Sequence, residues 1–173
     1  MNRLLYPFIW LSRVHRCQGF GIQSPSDFSF VREVINEHSP YYAYAEIGKG
    51  DRWLQRKRGF LYFRLANWRQ PQQVIDRVEA AEYVKAGCRR ANILPECDGH
   101  VELALLKNVE EAIQLLPFCD DRSVIVVEEI KGEDSQWDRL FSHQKVVISY
   151  DLYYCGILLF DSKRAKQHYV VNF

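Results

Sequence analysis

The sequence predicts an α/β fold: a partly parallel, Rossmann-like sheet preceded by a helical N-terminal segment. Three observations predict it. After Pro71, β-branched runs such as "QQVID", "HVELALL" and "SVIVVEEI" alternate with stretches of helical periodicity, the order that yields parallel strands joined by right-handed crossovers. The apolar centres of these runs are almost continuous, as in strands buried on both faces. The last run, "KVVISYDLYYCGILLF", holds two strands with no helix between them, which makes an antiparallel pair.

The elements follow in order. At 173 residues and 47% hydrophobic content the chain can bury one sizeable core, so a single domain over 1–173 is expected, helical over 1–70 and α/β over 71–173. Leu4 to Val14 reads as an amphipathic helix packed on the domain. "GFGIQSPSDF" breaks it, and Ser26 or Asp27 can cap a second helix through Phe30, Val31, Val34 and Ile35, ended by Pro40. Arg52 to Trp68 fits a third helix with Gly59 as its weak point. "QQVID" is then a short strand, and Glu79 to Ala91 a helix with Ala80, Tyr83, Val84 and Cys88 on one face. "HVELALL" is the next strand. Asn108 can cap a helix through Val109, Ala112, Ile113 and Leu116, stopped by Pro117; "SVIVVEEI" follows, then a helix from Asp134 to Phe141 around Trp137.

Charge and cysteine usage narrow the function classes. With 23 basic and 22 acidic residues, no global field recruits nucleic acid or anionic lipid. Five cysteines (Cys17, Cys88, Cys97, Cys119, Cys155), an odd number without framework spacing, fit a reducing, cytoplasmic setting. The opening "MNRLLYPFIWLSRVHR" is superficially like a secretion signal, but Pro7 interrupts its apolar run, and no stretch approaches the ~20 apolar residues of a membrane span.

Several ordered blocks carry a family resemblance. "GFGIQSPSDFSFV" resembles the GvHSPFvFdf opening of a class I S-adenosylmethionine-dependent methyltransferase family common in Bacteroidetes, with Gln23 where His is usual. "GFLYFRLANWRQPQQVID" is similar to the helix and proline before that family's first strand, "VIVVEEIKGEDSQW" to its DDIhWS...AW segment, and "ISYDLYYCGILLF" to its closing sIDlfycGiiFF. The resemblance implies a methyltransferase sheet and S-adenosylmethionine as cofactor. In the family the first strand runs into a glycine-rich turn, like ELGTSLG, whose backbone amides approach the methionine carboxylate. Here the aligned stretch is Ile75-Asp76-Arg77-Val78-Glu79-Ala80-Ala81, without a glycine.

Between Ile75 and Glu128 there is room for one helix, one strand and one further helix, where the family places three strands between its first and fifth. The resemblance therefore implies a truncated sheet of about five strands, in the family's numbering 1-4-5-7-6 with a terminal antiparallel pair. One flank and its switch point would be lost, along with the acidic residue that binds ribose hydroxyls. The first strand would then be an edge, covered by the N-terminal segment or a homodimer mate; a seven-stranded sheet would contradict this truncation. By position the cofactor-binding residues are Asp76, Arg77, Glu79, Glu128 and Glu129; none is assigned a catalytic role. The expected function is that of a degenerate, non-catalytic methyltransferase-like protein associating with itself or a paralogous methyltransferase. The alternatives are an active methyltransferase whose cofactor site is atypical or completed by another subunit, and a nucleic-acid binding module.

Other motifs carry competing readings. Glu46-x-Gly48-x-Gly50 in "YAEIGKGD" imitates a nucleotide loop but follows a Tyr-rich stretch, which favours a surface turn. Glu128 and Glu129 stand where the family has paired aspartates that can hold a divalent metal or act as a base; with Lys131 and Gly132 beside them, a structural role is favoured. Cys97-x-x-His100, with Cys88 upstream, is one half-site without a second pair, so no metal is expected. "RWLQRKRGFLYFRLANWR" mixes cations and aromatics as single-strand nucleic-acid binders do, although the family uses this region for packing. Asp151, Tyr153, Tyr154 and Cys155 fit ordinary strand alternation.

Overall fold

A computed structural model describes residues 6–131 and 134–173. Leu4 and Leu5 of the expected first helix, and Gly132, lie outside the described residues. Seven strands form one sheet: β1 (Gln73–Asp76), β2 (Asn92–Leu94), β3 (Val101–Leu106), β4 (Cys119–Val127), β5 (Ile148–Asp151), β6 (Gly156–Leu159) and β7 (Gln167–Val170), in the spatial order β2-β1-β3-β4-β6-β5-β7. β2, β1, β3 and β4 are mutually parallel, β6 is antiparallel to both neighbours, and β7 runs parallel to β5. The molecule is thus a Rossmann-like α/β layer structure.

Strand alternation divides the core between two faces. Val74, Leu103, Leu105, Val124, Val126, Ile148, Tyr150 and Ile157 point to one face, against α3 (Trp53–Arg69), α4 (Ala81–Gly87) and the N-terminal turns. Ile75, Ala104, Leu106, Ile125, Val127 and Leu158 point to the other, against α5 (Val109–Leu115) and α6 (Asp134–Ser142). Both faces being covered explains the near-continuous apolar runs.

The sheet corrects the five-strand, 1-4-5-7-6 expectation. The expected strands occupy its middle, and β2 and β7 extend it at both edges. α4 stops at Gly87, short of the expected Ala91, and β2, which was not expected, follows it, Asn92–Leu94 pairing with Gln73–Ile75. The outer edge of β1 is therefore covered by neither the N-terminal segment nor a second copy: Val74 pairs with Ile93. The side of β1 expected to be bare carries one three-residue strand, β2. The switch point also persists, because the chain leaves β1 on one side for β2 and returns to β3 on the other.

The N-terminal segment lies over the β5 and β7 end of the first face. It comprises α1 (Tyr6–Ser12), a 3₁₀ stretch (Val14–Gly19), α2 (Pro25–Phe30) and a π-helical turn (Val31–Ile35). The cap of α2 is Ser24, not Ser26 or Asp27; its Oγ accepts from the Asp27 N–H, and Pro25 takes the first helical position. Asp27 is instead buried. Its carboxylate accepts from the Tyr150 and Tyr169 hydroxyls, each at 3.0 Å, and pairs with Arg164, tying this segment to β5 and β7.

Candidate functional site at the carboxyl rim of the sheet

Because β1, β3, β4 and β5 point the same way, their carboxyl ends share one rim, where α/β folds bind ligands. Asp76 ends β1, Glu128 follows β4 and Asp151 ends β5. With β3 between them, the ends of β1 and β4 stand about 10 Å apart.

The β1 turn carries three of the expected positions. Arg77 extends the strand pairing, its N–H donating to the Leu105 carbonyl at 2.8 Å, while its side chain is exposed. Asp76 folds back so that Oδ1 accepts from the Val78 N–H at 3.0 Å. Glu79 is exposed and stands at φ +60°. The backbone keeps the left-handed conformation that glycine occupies freely and a side chain holds at a cost of about 1 kcal/mol. α4, only seven residues long, begins after Ala80 without a side-chain cap.

The "EIGKG" loop packs beside this turn. Gly48, at φ +65°, lies against the Tyr83 ring and leaves no room for a Cβ, which is the reason for glycine there. The Gly48 N–H approaches Glu82 Oε1 at 3.4 Å, and the Tyr83 hydroxyl donates to Asp51 at 2.6 Å. Gly59, expected as a weak point of α3, is where the same ring crosses that helix. Two amides, those of Val78 in this turn and of Gly48 beside it, thus each meet a carboxylate of the chain itself, at 3.0 and 3.4 Å.

At the end of β4, Glu128 and Glu129 diverge. Glu129 is exposed. Glu128 accepts from the Tyr62 hydroxyl at 2.7 Å and pairs with Arg58 at 2.8 Å. Burial raises its carboxyl above the usual 4.5, with Tyr62 and Arg58 pulling the other way. The Tyr62 hydroxyl, fully enclosed beside this carboxylate, is raised well above 10.

Asp151 was read as ordinary strand alternation, and the structure corrects that. β5 ends at Asp151, Tyr153 turns the chain at φ +69°, and the Tyr153 N–H donates to Asp151 Oδ1 at 2.7 Å. Arg13 reaches the same carboxylate at 3.1 Å and Lys131 at 2.9 Å. Burial alone would raise this carboxyl, yet the hydrogen bonds from Arg13 and Lys131 hold it below 3.8. Above the rim, Tyr6 stacks on Trp53 at 4.8 Å and both meet Tyr154 edge-on, at 5.6 and 6.0 Å. Cys155, buried beneath, has its thiol pushed up to about 12 by burial.

Arg13, Arg58, Tyr62 and Lys131 were not foreseen as partners of rim carboxylates. Arg58 and Tyr62 stand four apart on α3 and so share a face, a usable signal; Arg13 and Asp151 are linked only by the tertiary fold. Besides Arg58, three cations of α3 serve the fold: Arg56 donates to the Tyr44 carbonyl, Arg64 to the Val34 and Ile35 carbonyls, and Arg69 to the Arg122 carbonyl. Among the described residues no group of three or more His, Cys, Asp or Glu side chains is arranged to hold a metal ion. Cys88 is buried on the Pro71 carbonyl, and His100 faces Glu102 at 3.9 Å. No helix among the described residues is long and apolar enough to cross a membrane. Searches against protein-family models, curated proteins and solved structures return no match for this chain.

Proposed function

We propose that this chain is a cytoplasmic, methyltransferase-like domain that neither binds S-adenosylmethionine nor transfers methyl groups, and that works by association with a second copy or a paralogous methyltransferase. The carrying observation is the engagement of the Val78 and Gly48 amides by Asp76 and Glu82. An incoming methionine carboxylate must displace two internal carboxylates and then lie beside their charge, which is unfavourable at short range. The clamped state of Glu128 and Asp151 supports the same reading: carboxylates held by Tyr62 and Arg58, or by Arg13 and Lys131, are structural ties. Exposed Phe8, Leu11 and Phe20 in the N-terminal segment supply an apolar face for association.

A second reading, a working nucleoside site, is favoured by one feature. The switch point between β1 and β3 persists, and exposed Glu96 follows β2 by two residues, where an acid can meet ribose hydroxyls. Light scattering across concentration tests association: the proposal expects a dimer that Phe8→Ser with Leu11→Ser disrupts, or a complex with a paralogous methyltransferase that the same pair weakens. A strictly monomeric chain that captures no such paralogue contradicts it.

A further inference from the structure

On a different face of α3 from Arg58 and Tyr62, Lys57, Phe60 and Arg64 border a cavity of about 530 Å³. Trp10, Tyr44, Phe60 and Phe173 give it aromatic walls. The volume lies within the ~300–1,000 Å³ of small-molecule sites, which combine such walls with a few polar groups.

Two cations stand at this cavity without a salt bridge among the described residues, although the charge of Arg64 reaches the carboxyl of Glu37. The Lys57 ammonium lies 4.5 Å from the centre of the Phe173 ring and 5.3 Å from that of Trp53. The buried Arg64 guanidinium donates only to neutral acceptors: the Val34 carbonyl at 2.6 Å, the Ile35 carbonyl at 2.9 Å and the Tyr44 hydroxyl at 3.1 Å. Neither forms an ion pair among the described residues. Glu37, an acid in the lining, accepts from the Ser39 N–H at 2.6 Å. Burial, and then the charge of Arg64, lower the ammonium of Lys57. Charge withdrawn from water without a counter-charge is unfavourable, and an anion seated here removes that penalty.

We propose that this cavity binds a small aromatic carboxylate, its anion on Lys57 and its ring against Phe60 and Phe173. Arg64 spends three of its five N–H donors on the backbone and Tyr44, so Lys57, which makes no hydrogen bond among the described residues, supplies the principal head. That suits a monoanion better than a phosphate dianion, and the aromatic walls select a flat body. None of the rim carboxylates lines this cavity, so its test reads out separately from S-adenosylmethionine binding.

Calorimetric titration of the full chain with 1-naphthoate and with its uncharged amide, 1-naphthamide, tests this. Naphthoate is expected to bind at least about tenfold more tightly than naphthamide, the scale of one charge-assisted hydrogen bond. Lys57→Gln removes the preference and Lys57→Arg retains it. Equal binding of the two probes, absence of naphthoate binding below about 1 mM, or undiminished preference in Lys57→Gln overturns the proposal. The comparison of probes on the native chain stands even where a variant fails to fold.

Discussion

Glu79 holds a conformation that belongs to glycine. At φ +60° its backbone is strained, its side chain is exposed, and that side chain forms no hydrogen bond or ion pair among the described residues. Glu79→Gly is therefore expected to stabilise the chain by up to about 1 kcal/mol in urea unfolding. Arg58→Met should do the reverse, leaving Glu128 enclosed with only Tyr62 as partner, at a cost of roughly 1–3 kcal/mol at pH 7. Because the folded Glu128 carboxyl is raised, its penalty vanishes below about 4.5 and grows as pH rises through the folded value, so the loss in Arg58→Met should shrink toward pH 4. Asp151 has the opposite sign. Its carboxyl is held below 3.8, so its contribution is present above that value and is lost as pH falls through the lower folded one; Asp151→Asn should flatten the acid limb of the stability profile. The missing glycine was visible in the sequence. That the backbone keeps the glycine conformation was not, because φ at Glu79 is set by Ala80 and α4 having to return to α3.

At the scale of elements, β2 matters most. Asn92 begins it, its N–H donating to the Gln72 carbonyl at 2.7 Å. Asn92→Pro removes that donor and should detach β2, costing about 1–3 kcal/mol and opening the β1 edge to concentration-dependent aggregation in light scattering. The middle of the sheet was legible because Val74–Ile75, Leu103–Leu106 and Val124–Val127 are apolar runs buried on both sides. β2 and β7 were not. Asn92–Leu94 is three residues long, too short to show a strand alternation, and Gln167–Val170 is an edge strand that begins with two polar, exposed residues. Short edge strands owe their existence to a neighbour, here β1 and β5, rather than to their own composition.

For the whole molecule, the rim combines a switch point between neighbouring strands with carboxylates paired inside the chain. The order β2-β1-β3 preserves the switch point, yet the acids and bases gathered there neutralise one another across long sequence separations: Arg13 with Asp151, Arg58 with Glu128. The positions Asp76, Glu128 and Glu129 could be assigned to that rim from strand ends alone. Their partners could not, since they come from α3 and the N-terminal segment, whose docking depends on the Asp27, Tyr150 and Tyr169 tie. On the proposed function, Asp76 and Glu82 hold the amides that a cofactor carboxylate would need. Isothermal titration with S-adenosylmethionine and its demethylated product tests it most directly. The account predicts no binding tighter than about 100 μM, equivalent to about −5.5 kcal/mol; saturable binding below that concentration, weakened by Glu96→Gln, would contradict it.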